Sequence, residues 1–164
     1  MRRLSAIALS LFLSATLAWS AEPEKVDSEN VLMIEVAGEA NGIVEIELLP
    51  DVAPEHVARV KRLAREGYYN DVAFHRVIEG FMAQTGDVQH GKREGYLQRY
   101  AGIGGSVYPN LKSEFSDIPF DRGVLGMARA QDPDSANSQF FIMYDDGYFL
   151  NGQYTVFGKV IDGM

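Results

Sequence analysis

The chain has 164 residues, 46% of them hydrophobic, which suits one domain with one sizeable core and argues against several separate active sites. Lysine and arginine number 15 against 23 aspartates and glutamates, a formal charge of −8, and such a surface repels nucleic acid and anionic lipid. There is no cysteine, which excludes a disulfide framework, a thiolate nucleophile and a cysteine-built zinc site.

Residues 1 to 20 stand apart from the rest. Arg2 and Arg3 precede an apolar run from Leu4 to Trp19, and Ala18-Trp19-Ser20 places small residues at alternate positions before Ala21. This is the pattern of a secretory signal peptide, and the run falls short of the roughly 20 residues that a membrane-spanning helix needs. Thr16-Leu17-Ala18 offers a second cleavage site. Cleavage after Ser20 removes both arginines and leaves 13 basic against 23 acidic residues, a charge of −10. The protein is therefore expected to be exported, to a periplasm or alternatively to the medium, and to be free of the membrane once cleaved. Residues 21 to 30 are polar and acidic and are expected to form a disordered leader, with the folded domain over 31 to 164.

Alternation begins at once in that domain. Leu32, Ile34 and Val36 share one face of a first strand, and Val44, Ile46 and Leu48 one face of a second. Gly38 and the Asn41-Gly42 pair between them predict a hairpin turn. Pro50 and Pro54 introduce a helix from about Ala53 to Glu66, with Val57, Val60, Leu63 and Ala64 at helical spacing and Gly67 as its stop. Short apolar runs recur at Val72 to Ile78, Val124 to Ala128, Phe140 to Met143 and Thr155 to Val160. Many short strands with one long helix predict a mainly β fold, a closed antiparallel barrel capped by helix. Residues 87 to 121 hold few alternating runs and several glycines and prolines, and are expected to form a long, functional surface loop.

Three segments carry the chemistry: VAFHRVIEGFMAQTGD at 72 to 87, GVLGMARAQDPDSANSQFFIMY at 123 to 144 and YFLNGQYTVFGKV at 148 to 160. In this order they closely resemble the signatures of the cyclophilin family of peptidyl-prolyl cis/trans isomerases, and the resemblance extends over about residues 31 to 164. It implies a cofactor-free, monomeric enzyme acting on proline-containing unfolded or flexible polypeptides. It implies the catalytic arginine at Arg76 and its glutamine partner at Gln84. The proline pocket falls on Phe81, Met82, Phe141 and Leu150, and the groove for flanking substrate residues on Ala128, Gln139 and the backbone of Arg129. Arg129 stands where eukaryotic members commonly have asparagine, Phe149 where many have tryptophan and Tyr154 where many have histidine; Phe149 and Tyr154 keep the pocket wall apolar. Because the family's tight binding of cyclosporin depends partly on that tryptophan, weak cyclosporin binding is expected. The resemblance also implies a second helix and a last barrel strand beyond Met164, so this chain is expected to be a fragment of reduced stability.

The chemistry is consistent with the residues themselves. Rotation about a peptide bond is opposed by a barrier of about 18–20 kcal/mol because the nitrogen lone pair is delocalised into the carbonyl. No bond has to break, so no nucleophile is needed; an apolar pocket for the proline ring and a fixed donor near the imide nitrogen suffice. Arg76 is such a donor, planar and charged at every relevant pH. Alternation predicts Phe74, Arg76 and Ile78 on one face, with the Gln84 amide oxygen holding the guanidinium. Phe140, facing away from Phe141, is expected in the core, and His75 is expected as a hydrogen-bonded structural histidine.

Other candidates are weaker. His56, His75 and His90 lack metal-ligand spacing, Gly102 to Ser106 does not join a strand to a helix, and Ser135 and Ser138 lack a nucleophile-elbow sequence. The acidic residues Asp132, Asp134, Asp145 and Asp146 have no EF-hand spacing and read as a solvated rim. Two rival readings are a proline-peptide binding module without useful catalysis and a secreted hydrolase.

Overall fold

The computed structural model describes residues 26 to 164; the signal-peptide reading of residues 1 to 20 lies outside them. Seven strands form one antiparallel sheet: β1 Val31–Val36, β2 Gly42–Leu48, β3 Arg76–Ile78, β4 Met82–Thr85, β5 Val124–Met127, β6 Phe140–Met143 and β7 Val156–Asp162. Among the described residues one α-helix, α1, spans Pro54–Arg65. Among the described helices none is long and apolar enough to cross a membrane. The strand order is β1-β2-β7-β5-β6-β4-β3. Its ends, β1 and β3, do not pair with each other, so the expected closed barrel is an open sheet among the described residues.

Alternation sorts the strands onto two cores. Ile46, Leu48, Leu125, Met127, Phe140, Ile142 and Phe157 face one side, where α1 contributes Val57 and Val60. Val124, Phe141, Met143 and Val156 face the other, with Met82, Phe120 and Leu150. Successive residues of β6 thus serve opposite cores, as a period of two requires, and Phe140 parts from Phe141 as expected.

The hairpin differs in its turn. Gly42 already pairs with Val36, leaving residues 37 to 41 as the loop, where Asn41 Oδ1 accepts from Gly38 N–H at 3.3 Å. The Asn41 side chain closes the turn by a local hydrogen bond in place of a tight Asn-Gly turn. Helix α1 ends as expected at Gly67, whose φ of +73° suits a residue without Cβ. Its start is less local. Ala53 supplies no side-chain cap, and Glu114, 59 residues on from Glu55, accepts the N–H groups of Glu55 and His56 at 3.2 and 3.1 Å. Of the expected leader, Ser28–Asn30 forms a 3-10 turn tied to α1 by Lys61 to Asn30 and by Arg65 to Glu29.

The expected strand from Val72 is cut short: it begins at Arg76, and Val72 makes only an isolated bridge with Lys92. Phe74 therefore lies outside the strand and packs on the first core, so it does not share a strand face with Arg76. Residues 87 to 121 form a long loop that is more than surface, for Asp87 and Phe120 are fully buried and Leu111 nearly so.

His56 is fully buried on α1 beside Ala53 and Val57, with its Nδ1 2.6 Å from Glu114 Oε2. Burial lowers its pKa from 6.5, against the opposing pull of the Glu114 hydrogen bond and charge. The pKa of His75 is lowered as well, again by burial first. Both rings are harder to protonate folded than unfolded, so their contribution to stability is complete above the unfolded pKa and declines as pH falls through the depressed folded values. The melting temperature should fall as pH drops below about 6.5, and His56→Gln should flatten that slope. A parent profile level between pH 7 and 5 would contradict this account.

Candidate active site

The short hairpin of β3 and β4 positions the polar side of the site. Arg76 stands directly opposite Gln84 in this antiparallel pair, so the two side chains leave the same face. The Arg76 Nη1 donates to Gln84 Oε1 at 3.4 Å and lies 4.0 Å from Met82 Sδ. Among the described residues no carboxylate lies within salt-bridge distance of Arg76, leaving its charge free for another partner. Gln84 Nε2 donates in turn to Gln139 Oε1 at 3.0 Å, and Gln139 Nε2 to the Gly104 carbonyl at 2.7 Å.

The apolar side is the outer part of the second core. Met82, Phe141 and Leu150 are buried there, with Phe81, Ala128 and Tyr154 packed against it. Phe141 stacks on Phe120 at 5.7 Å and meets Tyr154 edge-on at the same distance. Phe149 is 66% exposed and lies at 5.6 Å from Phe81, forming an open rim. Arg129 lies 4.5 Å over the Tyr154 ring and donates to the carbonyls of Gln153, Ala130 and Gln131. Its side chain therefore ties together two loops and an aromatic wall, a role that a reading of its backbone alone did not foresee.

All eleven expected residues thus belong to one neighbourhood, and next to the arginine network lies a groove of about 450 Å³ lined in part by Gln84, Ile103, Ala128, Arg129 and Gln139. Both ring nitrogens of His75 are buried, and the Ala73 backbone and the Gln139 side chain are the polar groups that act on the ring. Two residues went unnoticed in the sequence. Gly126 pairs with Phe141, and a Cβ on it would lie 2.3 Å from the Phe141 ring, so only glycine lets that ring lie across β5. Phe120 is hidden in the loop, and its only local signal is the Ile118-Pro119-Phe120 apolar cluster.

An antiparallel sheet thus carries an arginine held by an amide beside an apolar aromatic wall. The model of the family described as "Cyclophilin type peptidyl-prolyl cis-trans isomerase/CLD" matches residues 31–164, and the chain belongs to this family. It is 55% identical over 161 residues to a Brucella suis protein named "Probable peptidyl-prolyl cis-trans isomerase", covering 98% of this chain and 81% of that one. A crystal structure of a cyclophilin from Hirschia baltica is similar at a TM-score of 0.70 and 28% identity, over 84% of this chain and 66% of that one. A Cryptosporidium parvum cyclophilin-type isomerase, crystallised in the presence of the dipeptide Ala-Pro, matches at a TM-score of 0.65 and 36% identity, over 75% of each chain. The activity is accordingly peptidyl-prolyl cis-trans isomerisation.

Proposed function

We propose that the enzyme acts as a monomer on X-Pro bonds of unfolded or flexible exported polypeptides, with Arg76 as the catalytic residue and Gln84 as its holder. The observation that carries this reading is the Arg76 to Gln84 contact at 3.4 Å, beside the apolar wall that begins at Met82. The proline ring enters between Phe81, Met82, Phe141 and Leu150, with Phe149 and Tyr154 as rims. Ala128, Gln139 and the Arg129 backbone border the residues before proline. As the bond twists, the imide nitrogen regains its lone pair, and the guanidinium donates to it in a setting where water is displaced by the bound peptide. Gln84 holds the fork at the angle required, since its amide oxygen accepts from one nitrogen and leaves the others free.

Exchange spectroscopy on an Ala-Pro peptide, together with the refolding of a protein limited by proline isomerisation, tests this directly. Uncatalysed isomerisation takes about 10–100 s at 25 °C, and catalytic amounts of enzyme should shorten the refolding phase. Peptide exchange without any effect on refolding would remove unfolded chains as clients. Export rests on the residues before Ala21, and the mature N-terminus recovered from a periplasmic fraction should begin near it. Recovery of the intact chain from the cytoplasm would overturn that part.

Weak cyclosporin binding belongs to the same proposal. Phenylalanine at 149 has no N–H to donate, whereas an indole at this exposed rim does. Phe149→Trp should therefore strengthen inhibition. Equal inhibition of the two forms would remove the argument.

A further inference from the structure

We propose that Asp87 is a positioning residue for the isomerase site: its buried carboxylate fixes the turn at residues 102 to 104, and that turn anchors the amide chain that holds Arg76. The inference rests on the reading of Arg76 given above and extends it to a residue that touches no substrate. Asp87 is fully buried. Its Oδ1 accepts from the backbone N–H groups of Gln89 at 3.1 Å and His90 at 2.8 Å, and its Oδ2 from Gly102 at 2.7 Å and Gly104 at 3.0 Å. Among the described residues no lysine or arginine nitrogen pairs with it, so its charge is held by peptide dipoles alone. Burial on its own would raise its pKa; the four N–H donors together outweigh that and hold it below the ordinary carboxylate value.

Direction is what links this carboxylate to the site. Arg76 can only donate, so Gln84 must present its oxygen to it and turn its nitrogen to Gln139. Gln139 must then accept with its oxygen and donate with its nitrogen, and it needs a carbonyl at the far end. Gly104 supplies that carbonyl. Arg76 and Gln84 stand on paired strands and Gln139 directly precedes β6, whereas Gly104 sits in a loop without strands, so its place depends on what pins it. Asp87 does so through the N–H of the same residue, and the fit is tight: a Cβ on Gly104 would lie 2.3 Å from Asp87 Oδ1. One carboxylate thus fixes the last acceptor of a chain that runs from Gly104 through Gln139 and Gln84 to the guanidinium.

Asp87→Asn keeps the shape but turns an NH2 group towards two N–H donors, on one side of the carboxylate or the other, and loosens the turn. Exchange spectroscopy on an Ala-Pro peptide should then show the on-enzyme rate falling about tenfold while peptide Kd changes less than about twofold, the signature of lost orientation and not lost binding. The second arm is a cycle with Gln139→Leu, which cuts the chain in the middle. If Asp87 acts through Gln139, adding Asp87→Asn to Gln139→Leu should cost little further rate. Losses that multiply, or a parent rate in folded Asp87→Asn, would overturn the proposal. Should Asp87→Asn not fold, Gly104→Ala displaces the same turn with the carboxylate intact and must give the same split and the same non-additivity. Arg76→Ala measured alongside separates the two ideas: if it retains the parent rate, the reading of Arg76 fails, whereas its loss of rate with Asp87→Asn unaffected leaves that reading standing and removes only the link.

Discussion

Arg76→Ala should fold like the parent and lose two to three decades in kcat/KM. The guanidinium lies at the exposed end of the sheet on the edge strand β3, contacting Gln84 and the Met82 sulfur without belonging to either core. Its removal opens no cavity among the buried side chains. Turnover is another matter, because the donor acts mainly once the twisted imide nitrogen has regained its lone pair. Removing one positioned donor of this type costs about 2.7–4 kcal/mol of transition-state stabilisation, which corresponds to that loss of rate. Ground-state binding of an X-Pro peptide should weaken far less. Arg76→Lys should restore little, since an ammonium keeps the charge but loses the planar fork that Gln84 holds on one side. Exchange rates at saturating and sub-saturating peptide, with circular dichroism as the check on folding, decide the point. Parent turnover in folded Arg76→Ala would leave desolvation by the pocket as the working mechanism.

The sequence announces some of this arrangement and hides the rest, and the division follows the range of the interactions. The Leu32 to Leu48 hairpin, the apolar face of α1 and the opposed roles of Phe140 and Phe141 depend on local period, and each appears where period places it. Arg76 and Gln84 lie eight residues apart on either side of a Gly80 turn, so their pairing across β3 and β4 is also close to local. The insertion of β7 between β2 and β5 is not. His56 illustrates a second limit: the group that meets both its ring and its N–H, Glu114, lies far along the chain, beyond the reach of local pattern. Asp87 illustrates a third. Polar composition in a glycine-rich segment reads as surface, yet a carboxylate that gathers N–H groups from that segment can be buried within it.

Gly126→Ala should lower stability and proline affinity together, although it adds a single methyl group. A Cβ at 126 would stand 2.3 Å from Cζ and 2.8 Å from Cε2 of Phe141, and 2.7 Å from Cε1 of Phe120. These rings stack on each other in the second core, and Tyr154 meets Phe141 edge-on, so neither can withdraw without disturbing the pocket. Overpacking of this kind costs typically 1–3 kcal/mol, about 4–8 °C in melting temperature per kcal/mol for a domain near 100 residues and less for larger ones. Phe141→Ala alone fails for the opposite reason: it leaves a cavity, at about 3–5 kcal/mol for a buried phenylalanine, and removes the pocket floor. Combining Gly126→Ala with Phe141→Leu removes the ring atoms in the tightest clash while keeping much of the apolar volume. Melting temperature should recover in part, because the Phe120 contact remains, whereas X-Pro affinity should not, because leucine offers no flat face to the proline ring. Thermal unfolding and peptide titration of both single variants and the double variant give the full cycle. A double variant no more stable than Gly126→Ala would show that the strain lies in the β5 backbone and not between the methyl group and the ring.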